Sequence, residues 1–258
     1  MNDHITRRKL LTMGGKSLLA GAAGAGLGAS LLHTPAHAVD WGALLNMMMP
    51  DGFGIVKKLV GEAFADERPL QVGSRVPSGA KINVGAKSRM ILSMSDRSIF
   101  QFSGPASLEL LLSMMRQGIL NLFFGAFLAV VPRDNHYLVS GPTGFIGIKG
   151  TIFYREVYPR EEMTVQGMEG PLVTPPGAKE YFCNCNGEVE YLGEPAQTPV
   201  HIDRSDYHHS FYLDPSRPDL RVKAPMVNHT DEEIKALIRL QTGRKHDASW
   251  IERHYQKR

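Results

Sequence analysis

Two cysteines and the histidines downstream of them carry the most suggestive chemistry in this chain. Cys183 and Cys185 are the only cysteines among 258 residues, and they stand two positions apart. On a strand, that spacing turns both sulfurs to one face. His201, His208, His209 and His229 follow. Two thiolates and two imidazoles complete a tetrahedral zinc site, and soft sulfur beside imidazole also suits copper. The candidate ligands are Cys183, Cys185, His208, His209 and His229. Adjacent side chains on an extended segment point apart, so one of His208 and His209 is expected to join His229 rather than both. Other readings stay open. Cys-x-Cys is not the Cys-x-x-Cys spacing of a zinc knuckle. The pair could close a strained, redox-active disulfide or serve as small core residues. Histidines in a polar loop are solvated by default.

Other recognisable chemistry is missing from the sequence. There is no Gly-x-Ser-x-Gly elbow, phosphate loop, dinucleotide fingerprint or haem-attachment motif. Asp203, Asp206, Asp214 and Asp219 do not have the spacing of a calcium loop. The runs Met47-Met48-Met49 and Met114-Met115 read as flexible core filling, because consecutive thioethers do not converge on one ion.

The elements that position the candidate ligands begin after an unusual leader. Thr6-Arg7-Arg8-Lys9-Leu10-Leu11 precedes a Gly/Ala-rich stretch and then Ala36-His37-Ala38. A charged start, a modest apolar run and a small-x-small site read as an export peptide, and the paired Arg7-Arg8 favour the twin-arginine kind over the alternative, a Sec-type signal. Residues 17–32 number 16 and are diluted by glycine, too few to span a membrane, which takes roughly 20 mostly apolar residues. Cleavage after Ala38 is expected to leave a periplasmic chain that is not membrane-spanning. It removes Arg7, Arg8, Lys9, Lys16 and Asp3, leaving 25 basic and 25 acidic residues. The formal charge of +3 thus belongs to the leader, and no nucleic-acid partner is expected. Export in the folded state would let a metal be fitted in the reducing cytoplasm.

Ile55, Val56, Leu59, Val60 and Phe64 suggest a short amphipathic helix after Pro50. From Leu70 to Val131 the texture is that of strands: Ile82 and Val84, then Met90, Leu92 and Met94, alternate with polar residues between Gly, Ser and Asp turns. Gly118 to Val131 is uncharged and reads as one or two buried strands, while Leu108 to Met115 alone is also compatible with a helix. Residues 144–157 are rich in β-branched and aromatic types. Pro171 to Gly177 is a turn region. Tyr181 to Tyr191 reads as a hairpin turning at Asn186-Gly187, and Glu194 to Pro225 as irregular. Thr230 with Glu233 forms a capping box. Ile234, Leu237, Ile238 and Gln241 then keep helical spacing until Gly243. The expected fold is all-β, a sandwich, roll or short β-solenoid, with a short N-terminal helix and a C-terminal helix. The expected organisation is a leader over 1–38, a helical lead-in over 39–69, a β domain over 70–170 and a Cys/His-containing appendage over 171–258.

Four segments resemble the FecR-type periplasmic domain. Val72-Gly-Ser-Arg-Val-Pro-Ser-Gly-Ala-Lys-Ile-Asn-Val-Gly-Ala-Lys-Ser is similar to its opening. Ser95-Asp96-Arg97-Ser98-Ile99 resembles its following Asp-Gly-Ser hairpin, with Arg97 where Gly is usual. Gly104-Pro-Ala-Ser-Leu-Glu-Leu resembles the next step. Gly144-Phe-Ile-Gly-Ile-Lys-Gly-Thr-Ile-Phe is similar to its Gly-x-x-Gly-x-(Arg)-Gly-Thr-x-Phe marker, with Lys149 for the usual Arg. The resemblance covers about 70–170 and implies an all-β cell-envelope module used as a binding surface. Founding members pass a signal to a cytoplasmic sigma factor through a transmembrane helix. The Cys-x-Cys and histidine segment also resembles the tail of exported FecR-like proteins, for which the resemblance implies no role. Three functions follow as expectations. The first is a non-enzymatic envelope binding or scaffold module with a Cys/His zinc or copper site and an envelope protein or ligand as partner. The alternatives are a periplasmic metal- or thiol-dependent enzyme and a sensor in a sigma-factor pathway.

Overall fold

The structure, a computed structural model, describes residues 52–113, 117–158, 180–193, 201–213 and 221–243, together with 249, 251 and 253. The export residues Arg7, Arg8, Ala36 and Ala38, the run Met47-Met48-Met49, Met114-Met115 and the turn Pro171 to Gly177 lie outside the described residues.

One sheet dominates. Its strands are β1 (Phe53–Val60), β2 (Ala63–Ala65), β3 (Arg68–Pro69), β4 (Arg75–Pro77), β5 (Lys81–Val84), β6 (Arg89–Met94), β7 (Ile99–Ser113) and β8 (Gln117–Val130). They continue with β9 (His136–Gly141), β10 (Gly144–Val157), β11 (Glu180–Gly193), β12 (His201–Ser205), β13 (His209–Leu213) and β14 (Arg221–Lys223). A helix, α1 (Asp231–Thr242), follows, and the described residues 249, 251 and 253 are also helical. The main path of the sheet runs β14-β13-β11-β10-β9-β8-β7-β5-β2-β3, and the sheet stays open. The fold is therefore mostly β with a C-terminal helix, as the alternating sequence implies.

Period-two patterning gives the sheet two apolar faces. One face carries the larger core, with Phe100, Phe102, Phe127, Phe153 and Phe182 all fully buried. The other carries Ile91, Ile99, Ala126, Leu128, Val130, Tyr154, Tyr181, Cys183 and Cys185, packed against Ile234, Leu237 and Ile238 of α1. The face that a given strand parity serves changes along β10 and β11. Ile146 and Ile148 join the larger core, but so do Phe153 and Val157. The register between these strands shifts between Lys149 and Ile152 and again between Ile152 and Phe153. Gly150, at φ 56, and Gly187, at φ 121, sit at the irregularity, where a residue without Cβ adopts the required backbone at little cost.

Several sequence expectations change. The helix expected after Pro50 is strand β1. Its residues alternate in burial from Phe53 to Val56, and it pairs antiparallel with β4 and β6. Gly54 lies so close to Leu92 that a Cβ there would meet the leucine side chain at 2.7 Å. Ile55, Val56, Leu59 and Val60 fit either periodicity, and the available partner strands decide. Leu108 to Ser113 is strand, not helix. Asn186-Gly187 is no hairpin turn: β11 runs through it, and the positive φ of Gly187 serves a bulge instead. The stretch from 194 to 225 contains β12, β13 and β14 rather than only irregular chain. At 95–98 the expected turn joins β6 to β7, and Arg97 takes φ 71, a conformation natural to glycine.

The C-terminal helix has the ends its sequence announces. Thr230 accepts from the Glu233 amide while the Glu233 carboxylate accepts from the Thr230 amide, and Gly243 closes the helix at φ 70. Ile234, Leu237 and Ile238 face the sheet. Gln241 Nε2 reaches the carbonyls of Arg97 and Val130 at 3.3 and 3.2 Å. No described helix is long and apolar enough to cross a membrane.

Candidate metal centre

β11 supplies the sulfurs. Cys183 and Cys185 face the same way, as their i, i+2 spacing requires, and their sulfurs are 3.7 Å apart as free thiols. Cys185 falls in the shifted register and has no partner residue on β10. The opposite edge of β11 is interrupted at the same place. β12 pairs up to Gly187 with Ser205, and β13 resumes at Asn184 with His209. Two residues of β11 therefore face three, Asp206 to His208, and the extra residue makes a bulge. Bulges of this kind re-aim side chains beside functional sites. His208 N–H donates to the Cys185 carbonyl at 3.1 Å, and His208 itself takes φ 37, a conformation that costs a non-glycine residue energy and concentrates at functional sites.

His229 comes from the segment that leads into α1, one residue before the N-cap Thr230. Its ring stacks on Tyr154 at 4.6 Å with an interplanar angle of 11°. The four potential ligand atoms, one each from Cys183, Cys185, His208 and His229, all lie within 4.8 Å of one another. Cys183 Sγ is 3.4 Å from His208 Nδ1, Cys185 Sγ is 3.5 Å from His229 Nε2, and the two ring nitrogens are 3.4 Å apart. With zinc–sulfur bonds of about 2.3 Å and zinc–nitrogen bonds of about 2.0–2.1 Å, tetrahedral angles place sulfurs about 3.8 Å apart, nitrogens about 3.4 Å apart and mixed pairs about 3.6 Å apart. Four of the six edges of this cluster, at 3.4–3.7 Å, are close to those lengths. This structure therefore contains a Cys₂His₂ cluster able to hold a metal ion.

The other ring nitrogens are tied down. His208 Nε2 meets Asp231 Oδ1 at 2.8 Å, and Asp231 Oδ2 accepts from Tyr207 Oη at 2.9 Å. His229 Nδ1 lies 2.7 Å from the Val227 carbonyl and donates to it in the tautomer that leaves Nε2 free for the cluster. A carboxylate or carbonyl behind each imidazole fixes its orientation and raises its basicity toward a metal. Both cysteines are fully buried, His229 is 4% exposed and the His208 side chain 3%.

Electrostatics divide the two thiols. Burial works to raise Cys183, but contacts from Cys185, His208 and His229 outweigh it and hold that thiol well below its ordinary value. Cys185 is pushed well above, by burial first and then by the Cys183 sulfur that accepts its S–H. Burial works to lower His208, but the Cys183 sulfur and the Asp231 carboxylate raise it. The shifts draw Cys183 toward the thiolate and His208 toward the imidazolium. A bound divalent ion would supply positive charge at the centre and deprotonate both thiols.

Of the five residues expected as ligands, the fold brings together Cys183, Cys185, His208 and His229. It turns His209 away: its Nδ1 lies 2.6 Å from Asp203 Oδ1, and the side chain is 47% exposed. His209 opens β13, whereas His208 ends the bulge before it at φ 37, and that bulge turns the two side chains apart. His201 is exposed on β12, near the ring of Tyr191. Sequence reasoning passed over Asp231, Tyr154 and the Val227 carbonyl. Asp231 carried a signal, an acid two residues after His229, but it read as ordinary first-turn helix chemistry.

No protein-family model and no curated protein matches the chain. Among solved structures, the chain is similar to the crystal structure of a putative anti-sigma factor from Parabacteroides distasonis. That likeness has 12% sequence identity and a TM-score of 0.39, and covers 63% of this chain and 92% of the other.

Proposed function

We propose that the chain is an exported, non-enzymatic binding or scaffold module of the cell envelope, FecR-type in its β region, whose C-terminal part is organised by a structural zinc ion. The observation that carries the zinc reading is the agreement of the ligand-atom spacings with a tetrahedral S₂N₂ set. Tetrahedral S₂N₂ coordination favours zinc over copper(II), which prefers tetragonal nitrogen and oxygen ligands. Four protein atoms already fill the coordination shell. That is the pattern of a structural site, whereas a catalytic zinc keeps a position for water.

Cys183, His208 and Asp231 also form a thiol–imidazole–carboxylate chain, with steps of 3.4 and 2.8 Å. That order resembles a nucleophile, base and orienting group. The Cys183 sulfur is fully buried, however, and a nucleophile must reach its substrate. Burial therefore supports holding a metal rather than attacking a substrate. The envelope location is supported by the paired Arg7-Arg8 leader and by the FecR-like segments of 72–153, and the partner is read as an envelope protein or ligand.

The test joins location to metal content. The chain expressed with its own leader is fractionated, and the periplasmic form is analysed for metals. One zinc per chain is expected. His209→Ala should retain it, Cys183→Ser should lose it, and Arg7→Lys/Arg8→Lys should leave the chain in the cytoplasm. Metal-free periplasmic protein from zinc-replete cells would sink the zinc reading, and export that is indifferent to Arg7 and Arg8 would sink the route.

A further inference from the structure

The segment leading into α1 supplies one of the four candidate ligands, and α1 supplies the carboxylate behind another. His229 stands just before the helix and Asp231 is its first residue, whereas Cys183 and Cys185 lie on β11 and His208 in the bulge between β12 and β13. A metal at this centre would join two parts of the fold rather than brace one. We propose that it is a latch: residues 225–243 are held on the sheet when the centre is loaded, and leave it when the metal is withdrawn. This rests on the zinc reading above.

The contacts along the helix are uneven. An isolated helix of 12 residues is marginal in water and needs tertiary contacts to persist. Ile234, Leu237 and Ile238 supply one apolar strip. The polar contacts beside it are modest. Arg89 pairs with Glu233 at 2.9 Å, but the Arg89 side chain is 51% exposed, and such pairs contribute little. Gln101 and Gln241 add neutral or singly charged hydrogen bonds.

The lead-in is tied more firmly, and its ties converge on the centre. The Val227 amide donates to Tyr181 Oη, which in turn reaches the Pro225 carbonyl. Asn228 Nδ2 donates to Glu156 at 2.8 Å. Asn228 takes φ 61, a conformation uncommon for a residue with a side chain. That backbone delivers His229 over Tyr154 and into the cluster. The buried nitrogens of His208 and His229 face each other and the sulfurs at 3.4–3.5 Å. A metal there would bond His229 directly to the three ligands on the sheet side, and withdrawing it would leave the lead-in held by its hydrogen bonds alone. The helix would follow, uncovering the strip formed by Ile99, Ala126, Leu128 and Val130.

The latch is tested by amide hydrogen exchange on the full chain, with zinc content measured in the same samples. Loaded protein should protect 231–242. After chelation, those amides should exchange about 100-fold faster or more, while β10 and β11 keep their protection and added zinc restores α1. Protection of α1 that persists after the zinc has gone would overturn the latch while leaving the zinc reading intact. A starting sample that never binds added zinc would instead overturn the zinc reading, and the latch with it. Asp231→Asn retains all four ligands but weakens the support of His208. It should lower zinc affinity about 10–100-fold and release α1 at a correspondingly lower chelator concentration. Release at the wild-type chelator concentration would contradict the proposal.

Discussion

Cys185→Ser is expected to lose the metal and to lower the melting temperature by about 8–16 °C. A ligand present at about a thousand times its dissociation constant stabilises the folded state by about 4 kcal/mol. In a domain of this size, each kcal/mol corresponds to roughly 2–4 °C. The Cys185 sulfur is fully buried beside Cys183 and His229, so a serine in its place has no route to another strong ligand set. Calorimetry with and without chelator checks this. Wild-type protein should fall to the level of the variant when chelated, and the variant should ignore the chelator. A variant that melts with the wild type, both loaded, would show that the cluster contributes no stability through a metal.

The second large effect is expected at the opposite face of β10 and β11. Arg155 and Glu180 are both 0% exposed and form an ion pair. Arg155 Nε donates to Glu180 Oε2 at 2.8 Å, and Nη1 donates to the Val139 carbonyl at 2.9 Å. Glu180 Oε1 accepts from the amide and hydroxyl of Thr143 at 2.6 and 2.8 Å. Gly141 leaves the space that the guanidinium occupies. Arg155→Met fills similar volume but strands the Glu180 charge in the core, and breaking such a pair costs about 3–5 kcal/mol. Adding Glu180→Gln removes the charge while keeping an acceptor for Thr143, and should recover part of that loss. Denaturant unfolding of the three proteins measures it. A single variant within about 1 kcal/mol of wild type would show that the pair does not hold the two strands as described.

The sequence announced the fold where local rules are strict. The capping box at Thr230 and Glu233 and the closing Gly243 define α1 without tertiary help. Alternation from Ile82 to Phe102 likewise gave strands. It misled where periodicity was shared, as at Ile55 to Val60, where pairing with β4 and β6 decides. It also misled at Asn186-Gly187, because a glycine with positive φ serves a bulge as readily as a turn.

The candidate site was half legible. The i, i+2 rule placed Cys183 and Cys185 on one face, and only one of His208 and His209 turns toward them. Which histidine turned inward depended on the bulge at 206–208, created by the pairing of β12 and β13 along one edge of β11. No local pattern encodes that register. Asp231 was equally hidden, since its role needs the helix to be docked against His208.

The central claim is that Cys183, Cys185, His208 and His229 hold one zinc ion between sheet and helix. X-ray absorption at the zinc edge of the purified full chain tests it most directly. The account predicts two sulfurs at about 2.3 Å and two imidazole nitrogens at about 2.0–2.1 Å, with no water in the first shell. A zinc shell of oxygen and nitrogen alone, or one unchanged by Cys183→Ser, would contradict it.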